Sequence, residues 1–149
     1  MAEQDHAEQG AVTVAETPQI TTFEDLACWK KCRELRLFVA KEAIPALPKE
    51  ERYRLGEQLL RAARSTTANI AEGYGRFHFK ENIQFCRHSR GSLYEILDDL
   101  ITCLDEKYIT ETVFEDGKNE INRATNILNG YINYLKRAEE QKRVAPINS

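Results

Sequence analysis

The chain has 149 residues, 42% hydrophobic and 30% charged, with 21 Lys+Arg against 24 Asp+Glu. That is the size of a single domain with a sizeable core. No run approaches the ~18 to 20 uninterrupted apolar residues of a membrane span, and the N-terminus lacks a basic-then-apolar secretory pattern, so a cytoplasmic, non-membrane protein is expected. Residues 1–22 carry Glu3, Asp5, Glu8 and Glu16 with no Lys or Arg and no sustained period, and are expected to be a disordered acidic tail.

Phe23 to Ala43 contains neither Gly nor Pro, and Thr22 stands three residues ahead of Asp25 in a capping-box spacing. A first helix is expected there, stopping before Ile44-Pro45. A second is expected to open on Pro48 and end at Gly73, with Leu55, Leu59, Ala62, Ala63 and Ile70 on its apolar face. From Phe79, the positions Ile83, Cys86, Leu93, Leu97, Leu100 and Leu104 recur at steps of three and four, interrupted by Arg90. They predict a long third helix. A fourth is expected to open near Thr110 or Thr112, the latter paired with Glu115 as a capping box. Phe114, Ile121, Ala124, Leu128, Tyr131 and Leu135 form its apolar row. No stretch alternates like a strand. The fold class is therefore all-α: an antiparallel up-down-up-down four-helix bundle over residues 23–138, with a flexible C-terminal tail over 139–149.

Charge is polarised along the chain. Between Arg52 and Arg90, eight basic residues (Arg52, Arg54, Arg61, Arg64, Arg76, Lys80, Arg87, Arg90) face only Glu57, Glu72 and Glu81. Between Gly91 and Glu120 the sign inverts, with only Lys107 and Lys118 opposing nine carboxylates, among them Glu95, Asp98 and Asp99. Two complementary patches of this kind suit a heterologous, ring-closing contact between copies of one chain. The turn Gly73-Tyr74-Gly75-Arg76-Phe77-His78-Phe79-Lys80 interleaves aromatics with cations. Such a turn can stack bases and contact phosphate, or it can simply cap the bundle end while its glycines supply helix-ending angles. The candidate nucleic-acid-binding residues are Arg54, Arg61, Arg64, Arg76 and Lys80, with Tyr74 and Phe77 as stacking groups.

Ser65, Asn69 and Glu72 fall on one stripe of the second helix, as do Gly91, Ser92 and Glu95 on the third. These residue types admit a Ser/Glu catalytic pair. They equally suit a close helix crossing in which small residues let the backbones approach and Asn69 and Glu72 bond across to the third helix, and this structural reading is the expected one, Gly73 ending the stripe. A nucleophilic Ser needs a base, and His6, His78 and His88 are not spaced like triad members. No metal site is expected: the only Glu-x-x-His is Glu3 to His6, and Cys28 with Cys32 has no second Cys/His pair to complete a zinc site. Cys28, Cys32, Cys86 and Cys103 are expected to be reduced core residues. Glu95, Asp98 and Asp99 are expected to be a solvated face, and Gly73-Tyr74-Gly75 lacks the Gly-Lys-Ser/Thr of a phosphate loop. No cofactor is expected.

Arg64-Ser65, Asn69-Ile70-Ala71-Glu72-Gly73-Tyr74-Gly75-Arg76, then Phe85, Arg90-Gly91-Ser92-Leu93 and Glu95 resemble the bacterial four helix bundle protein family, also called the large-subunit ribosomal RNA intervening-sequence protein family. The likeness spans about Phe23 to Arg137. It departs from the common pattern at Asn82 and His88, where apolar residues are frequent, and at His78, where a capping Ser is. The resemblance implies a bundle without established catalysis that assembles as a homopentamer. A more distant architectural likeness to the accessory variability protein of diversity-generating retroelements implies RNA, DNA or a reverse transcriptase as partners. The expected function is a non-catalytic, oligomeric binding or adaptor module for nucleic acid or a nucleic-acid-processing protein. The alternative is a purely structural protein-protein scaffold.

Overall fold

In the computed structural model the structure describes residues 19–144, and among them there are four long helices and no strand. The chain enters through a single 3₁₀ turn, Phe23–Asp25. Asp25 Oδ2 accepts from the Thr21 N–H (3.0 Å), the Thr21 hydroxyl (2.9 Å) and the Thr22 N–H (3.2 Å). These bonds hold its carboxyl below the usual range. The Thr22 and Asp25 capping box is thus formed, though on a 3₁₀ turn and not on the helix proper.

Helix α1, Ala27–Phe38, buries Cys28, Cys32 and Leu35. It does not stop before Pro45 as its sequence suggests. A wide π-helical turn, Val39–Ala43, leads into a last α-turn, Ile44–Ala46. The Ile44 N–H bonds to the Val39 carbonyl five residues back, which opens the turn and gives the Pro45 ring the room an α-turn would deny it. Helix α2, Leu55–Gly75, begins later than Pro48, because Pro48 to Arg54 forms a 3₁₀ turn, Lys49–Glu51, and a tight connection. Ile44 and Leu47 fold back over Gly56, where a Cβ would lie at ordinary contact distance, 3.4 Å from Leu47 and 3.9 Å from Ile44.

Helix α3, Phe79–Asp105, follows after only three residues. It ends in a Schellman motif: the Tyr108 N–H bonds to Cys103 O (2.8 Å) and the Lys107 N–H to Leu104 O (3.0 Å), with Lys107 at φ 61 where glycine is commoner. Helix α4, Glu111–Val144, is opened by Thr110, whose hydroxyl accepts from the Val113 N–H (3.2 Å), and not by Thr112. It continues to Val144, so residues 139–144 are helical and not part of a C-terminal tail. The segment from Arg137 to Arg143 is rich in helix formers, and Lys142 and Arg143 sit at the negative end of the helix. The rest of that tail and residues 1–18 lie outside the described residues.

Cross-helix contacts give the topology. Arg36 meets Thr67 (2.8 Å) between α1 and α2, Ser89 meets Thr66 (2.8 Å) between α2 and α3, and Arg90 meets Asn129 (2.9 Å) between α3 and α4. The start of α1 lies beside the end of α4, where Leu26 shares a cleft with Tyr134 and Leu135. Each helix therefore runs antiparallel to the next, and the last closes on the first. Leu35, Val39, Leu59, Ile70, Leu93, Ile96, Leu100, Ile121, Leu128 and Ile132 fill the centre. All four cysteines are buried and free; desolvation pushes the Cys28 and Cys86 thiols up to about 12 and those of Cys32 and Cys103 to about 11, so they behave as small apolar groups.

The tightest contact joins α2 to α3. A Cβ on Gly73 would lie 2.7 Å from Asn82 Oδ1 and 2.9 Å from Phe85 Cβ. Gly73 therefore does not end the helix through an unusual backbone angle, and no described glycine has positive φ. It lets two backbones meet. Gly91, expected at the same crossing, faces open space, with nothing within 4 Å of a Cβ built there. The two glycines should respond oppositely to alanine. Gly73→Ala should cost about 1–3 kcal/mol by overpacking, while Gly91→Ala should gain about 0.5–1 kcal/mol of helix stability. Urea unfolding of the two variants reads both signs.

Candidate nucleic-acid interface

The basic residues occupy two places. Arg54 precedes the first turn of α2, and Arg61 and Arg64 follow on the outer face of that helix, all three exposed. With Tyr53, Glu57, Gln58 and Leu60 they line one shallow hollow. Tyr53 is 78% exposed and stands beside this cluster, although it was not among the expected site residues. Its signal was present in the sequence, where it is the aromatic between Arg52 and Arg54.

Arg76, Lys80, Tyr74 and Phe77 lie at the opposite end of α2. From Arg64 to Arg76 is twelve residues in the numbering, or roughly 18 Å of helix rise. The candidate residues thus form two patches. Arg76 is shared by Glu72 (3.2 Å) and Glu81 (3.7 Å), and its guanidinium sits over the Phe85 ring, 5.4 Å from the centroid. Lys80 approaches Glu139 at 3.9 Å. Exposed pairs of this kind are individually weak, but they lower the local positive potential. Tyr74 is half-buried against the core, while Phe77 is 96% exposed. The arginines of the α2 hollow form no ion pair within 4 Å among the described residues.

The small-residue motif works differently from its expected form. Ser92 Oγ donates to Ser65 Oγ (2.9 Å), so these two hydroxyls do bridge α2 and α3. Asn69 bonds back along its own helix, its Nδ2 donating to Ser65 O (2.8 Å) and Ser65 Oγ (2.9 Å), and Glu72 turns outward to Arg76. Gly91 and Glu95 are exposed. The α2–α3 bonding that Asn69 and Glu72 were expected to supply comes instead from Ser89, which donates to Thr66 O at 2.8 Å, while Asn82 ties α3 to α4 by donating to the Tyr131 hydroxyl at 3.2 Å. Neither Ser89 nor Thr66 belonged to the expected stripe, because residues of this kind in a helix are usually solvent-facing or bonded to their own backbone. His88 is exposed, its carbonyl accepting from Ser92 Oγ, and its ring lies beside Phe85 with centroids 6.4 Å apart. His78 precedes α3 without a side-chain cap bond. No cluster of three or more His, Cys, Asp or Glu residues able to hold a metal occurs among the described residues.

Antiparallel packing brings the opposite charge segments together within one subunit. Asp99, on α3, is 7% exposed and its Oδ2 has no hydrogen-bond partner. Desolvation, with Glu95 and Asp98 adding to it and Arg61 opposing it, pushes its carboxyl up to about 6. Arg61 of the basic hollow therefore shares its field with the acidic cluster.

An antiparallel bundle of four helices, with a basic aromatic hollow on one helix, defines a class of small all-helical protein. Residues 24–130 match the sequence profile of the 23S rRNA-intervening sequence protein family, and the chain belongs to that family. The fold is similar to that of a solved protein of unknown function from the S23 ribosomal protein family of Bacteroides thetaiotaomicron. The TM-score is 0.65 at 20% identity, covering 70% of this chain and 97% of that one. No curated protein matches the sequence. No helix is long and apolar enough to cross a membrane among the described residues.

A carboxyl raised from 3.8 to about 6 favours the protonated folded state, so its contribution to stability falls as pH rises from about 4 through 6. Asp99→Asn should accordingly raise Tm at pH 7.5, by about 2–4 °C for each kcal/mol of relief, and the gain should vanish by pH 4. Thermal unfolding followed by circular dichroism at both pH values checks this.

Proposed function

We propose that the protein is a non-catalytic RNA-contacting module that works as a closed homo-oligomer, a pentamer first. The observation that carries this reading is the α2 hollow, where Arg54, Arg61 and Arg64 stand exposed beside Tyr53. Arginines that form no ion pair within 4 Å among the described residues can exchange bound counterions for phosphate contacts, and an exposed aromatic offers a stacking face that tolerates any base. Membership of a family named for the 23S rRNA intervening sequence makes RNA the polyanion to test first. Arg76, Lys80, Tyr74 and Phe77 form a secondary patch, weakened by Glu72, Glu81 and Glu139. Few side chains per subunit reach phosphate, so affinity should come from repetition of the hollow around a ring.

A structural scaffold is the second reading. It is favoured by the groove between α1 and α4, whose walls carry Glu34, Glu42, Asp116 and Glu120 against Lys41 and Arg123, over Leu37, Phe38 and Val113, and so keep a net negative charge. That acidic groove complements the basic hollow of another copy. Light scattering at low micromolar concentration should give about five times the 17.2 kDa chain mass, and a monomer ends both ring readings.

Titration of labelled single-stranded RNA at ~50 and ~200 mM salt separates the two, since phosphate contacts weaken steeply with salt. Arg61→Glu/Arg64→Glu, still assembled, should bind at least tenfold more weakly. Tyr53→Ala should lose about 1–3 kcal/mol if it stacks a base. No binding at the lower salt, or equal binding by the charge-reversed variant, leaves the scaffold. In that case a protein partner such as a reverse transcriptase becomes the ligand to seek.

A further inference from the structure

A second concave feature is unexplained by the α2 hollow. At the end of the bundle where α1 begins and α4 ends, a cleft of about 380 Å³ is lined by Ile20, Leu26, Tyr74, Phe77, Tyr134 and Leu135. Its walls are largely apolar, yet Phe77 is 96% and Tyr134 is 57% exposed. Contiguous apolar side chains left in water on a small protein usually mark a surface that something covers. The charged and titratable groups at its rim are Arg76 and His78, with Lys80 the second residue of α3.

The chain itself reaches this cleft. Ile20 is among its lining residues, so the described part of the chain begins, at Gln19, beside the cleft. Within the sequence preceding Gln19, Ala11-Val12-Thr13-Val14-Ala15 is the apolar stretch, and the charged residues around it, Glu3, Asp5, Glu8 and Glu16, are all acidic. Val14 is six residues from Ile20. In extended form six residues span roughly 20 Å, enough to cross the end of a bundle two helices wide. Val12, Val14 and Glu16 fall on one face of an extended strand, which would put two apolar side chains toward the aromatics and a carboxylate toward Arg76 and His78. Arg76 is already shared with Glu72 and Glu81, so apolar contact with Phe77 and Tyr134 is the larger source of attraction.

We propose that this cleft is an intramolecular docking groove for residues 11–16 of the same chain, with Val12 and Val14 against Tyr74, Phe77 and Tyr134. The groove holds a short apolar segment flanked by acidic residues, and it leaves the α2 hollow free. It is therefore independent of whether that hollow binds RNA.

A benzophenone placed on Val14→Cys in the full chain tests the proposal, because the four native cysteines are buried and leave the new thiol as the reactive one. Irradiation should cross-link position 14 to peptides containing Tyr74 to Phe79 and Tyr131 to Leu135. Adding Val12→Asp should cut that yield at least fivefold while leaving thermal unfolding unchanged. In an equal mixture of ¹⁴N and ¹⁵N chains the cross-linked pairs should carry a single isotope. Mixed pairs would show that a neighbouring copy supplies the segment, and cross-links in the α1–α4 groove or scattered over the surface would show no specific docking. A 4-thiouridine oligonucleotide that cross-links to Phe77 or Tyr134, with none from position 14, would show a nucleobase as the occupant. Each of these last three results overturns the proposal.

Discussion

The rest of the structure depends on how closely α2 approaches α3. Gly73 against Phe85 and Asn82 leaves no room for a methyl group, and the Ser65, Thr66, Ser89 and Ser92 hydroxyls are satisfied between or along the two helices. A seam of small polar residues is a demanding way to join helices, since each buried hydroxyl must keep its partner or lose about 1–3 kcal/mol. The return is register. Leucines can slide past one another by a turn at modest cost, whereas Ser89 has the Thr66 carbonyl at one position only.

That register decides where the charges fall. Because α3 returns along α2 after three residues, the acidic half of α3 is laid beside the basic half of α2, and Arg61 shares its field with Asp99. The inversion of charge along the sequence is thus partly answered inside one subunit. What remains is narrower than the sequence implies. On one side stand Arg54, Arg61 and Arg64 with Tyr53, only Arg61 sharing its field with Asp99. On another is the α1–α4 groove, where Glu34 pairs with Lys31 and Glu120 with Arg123 while Glu42 and Asp116 form no ion pair among the described residues.

The all-α class, the four helices and the buried cysteines were legible in the sequence, because apolar residues at steps of three and four have one common explanation. Helix ends were less so. Pro45 signals a stop, but a π-turn absorbs it. The capping-box spacing of Thr112 and Glu115 favours Thr112 in the sequence, yet the helix opens earlier, on the Thr110 hydroxyl. The family motif was recognisable while its physical meaning was not. Gly73 and Gly91 look alike as letters, yet one is wedged between backbones and the other faces solvent. A one-dimensional stripe counts residues that share a face; it does not say how wide the contact on that face is.

The same limit applies to the candidate site. Arg76 and Lys80 belong with Arg54, Arg61 and Arg64 by composition, yet a helix of this length holds the two groups apart, and Glu72, Glu81 and Glu139 engage the distal pair. A surface cation is available to an anionic ligand only in proportion to what its neighbours leave unscreened. By that measure the proximal arginines outrank the distal ones despite identical side chains. The aromatic end of the bundle then needs a different explanation from the basic face. Its exposed Phe77 and Tyr134 are better matched by an apolar segment carrying a little negative charge than by a phosphate backbone, whose charge lies along its whole length. Two surfaces with distinct chemistry on one small bundle therefore fit two ligands more naturally than one.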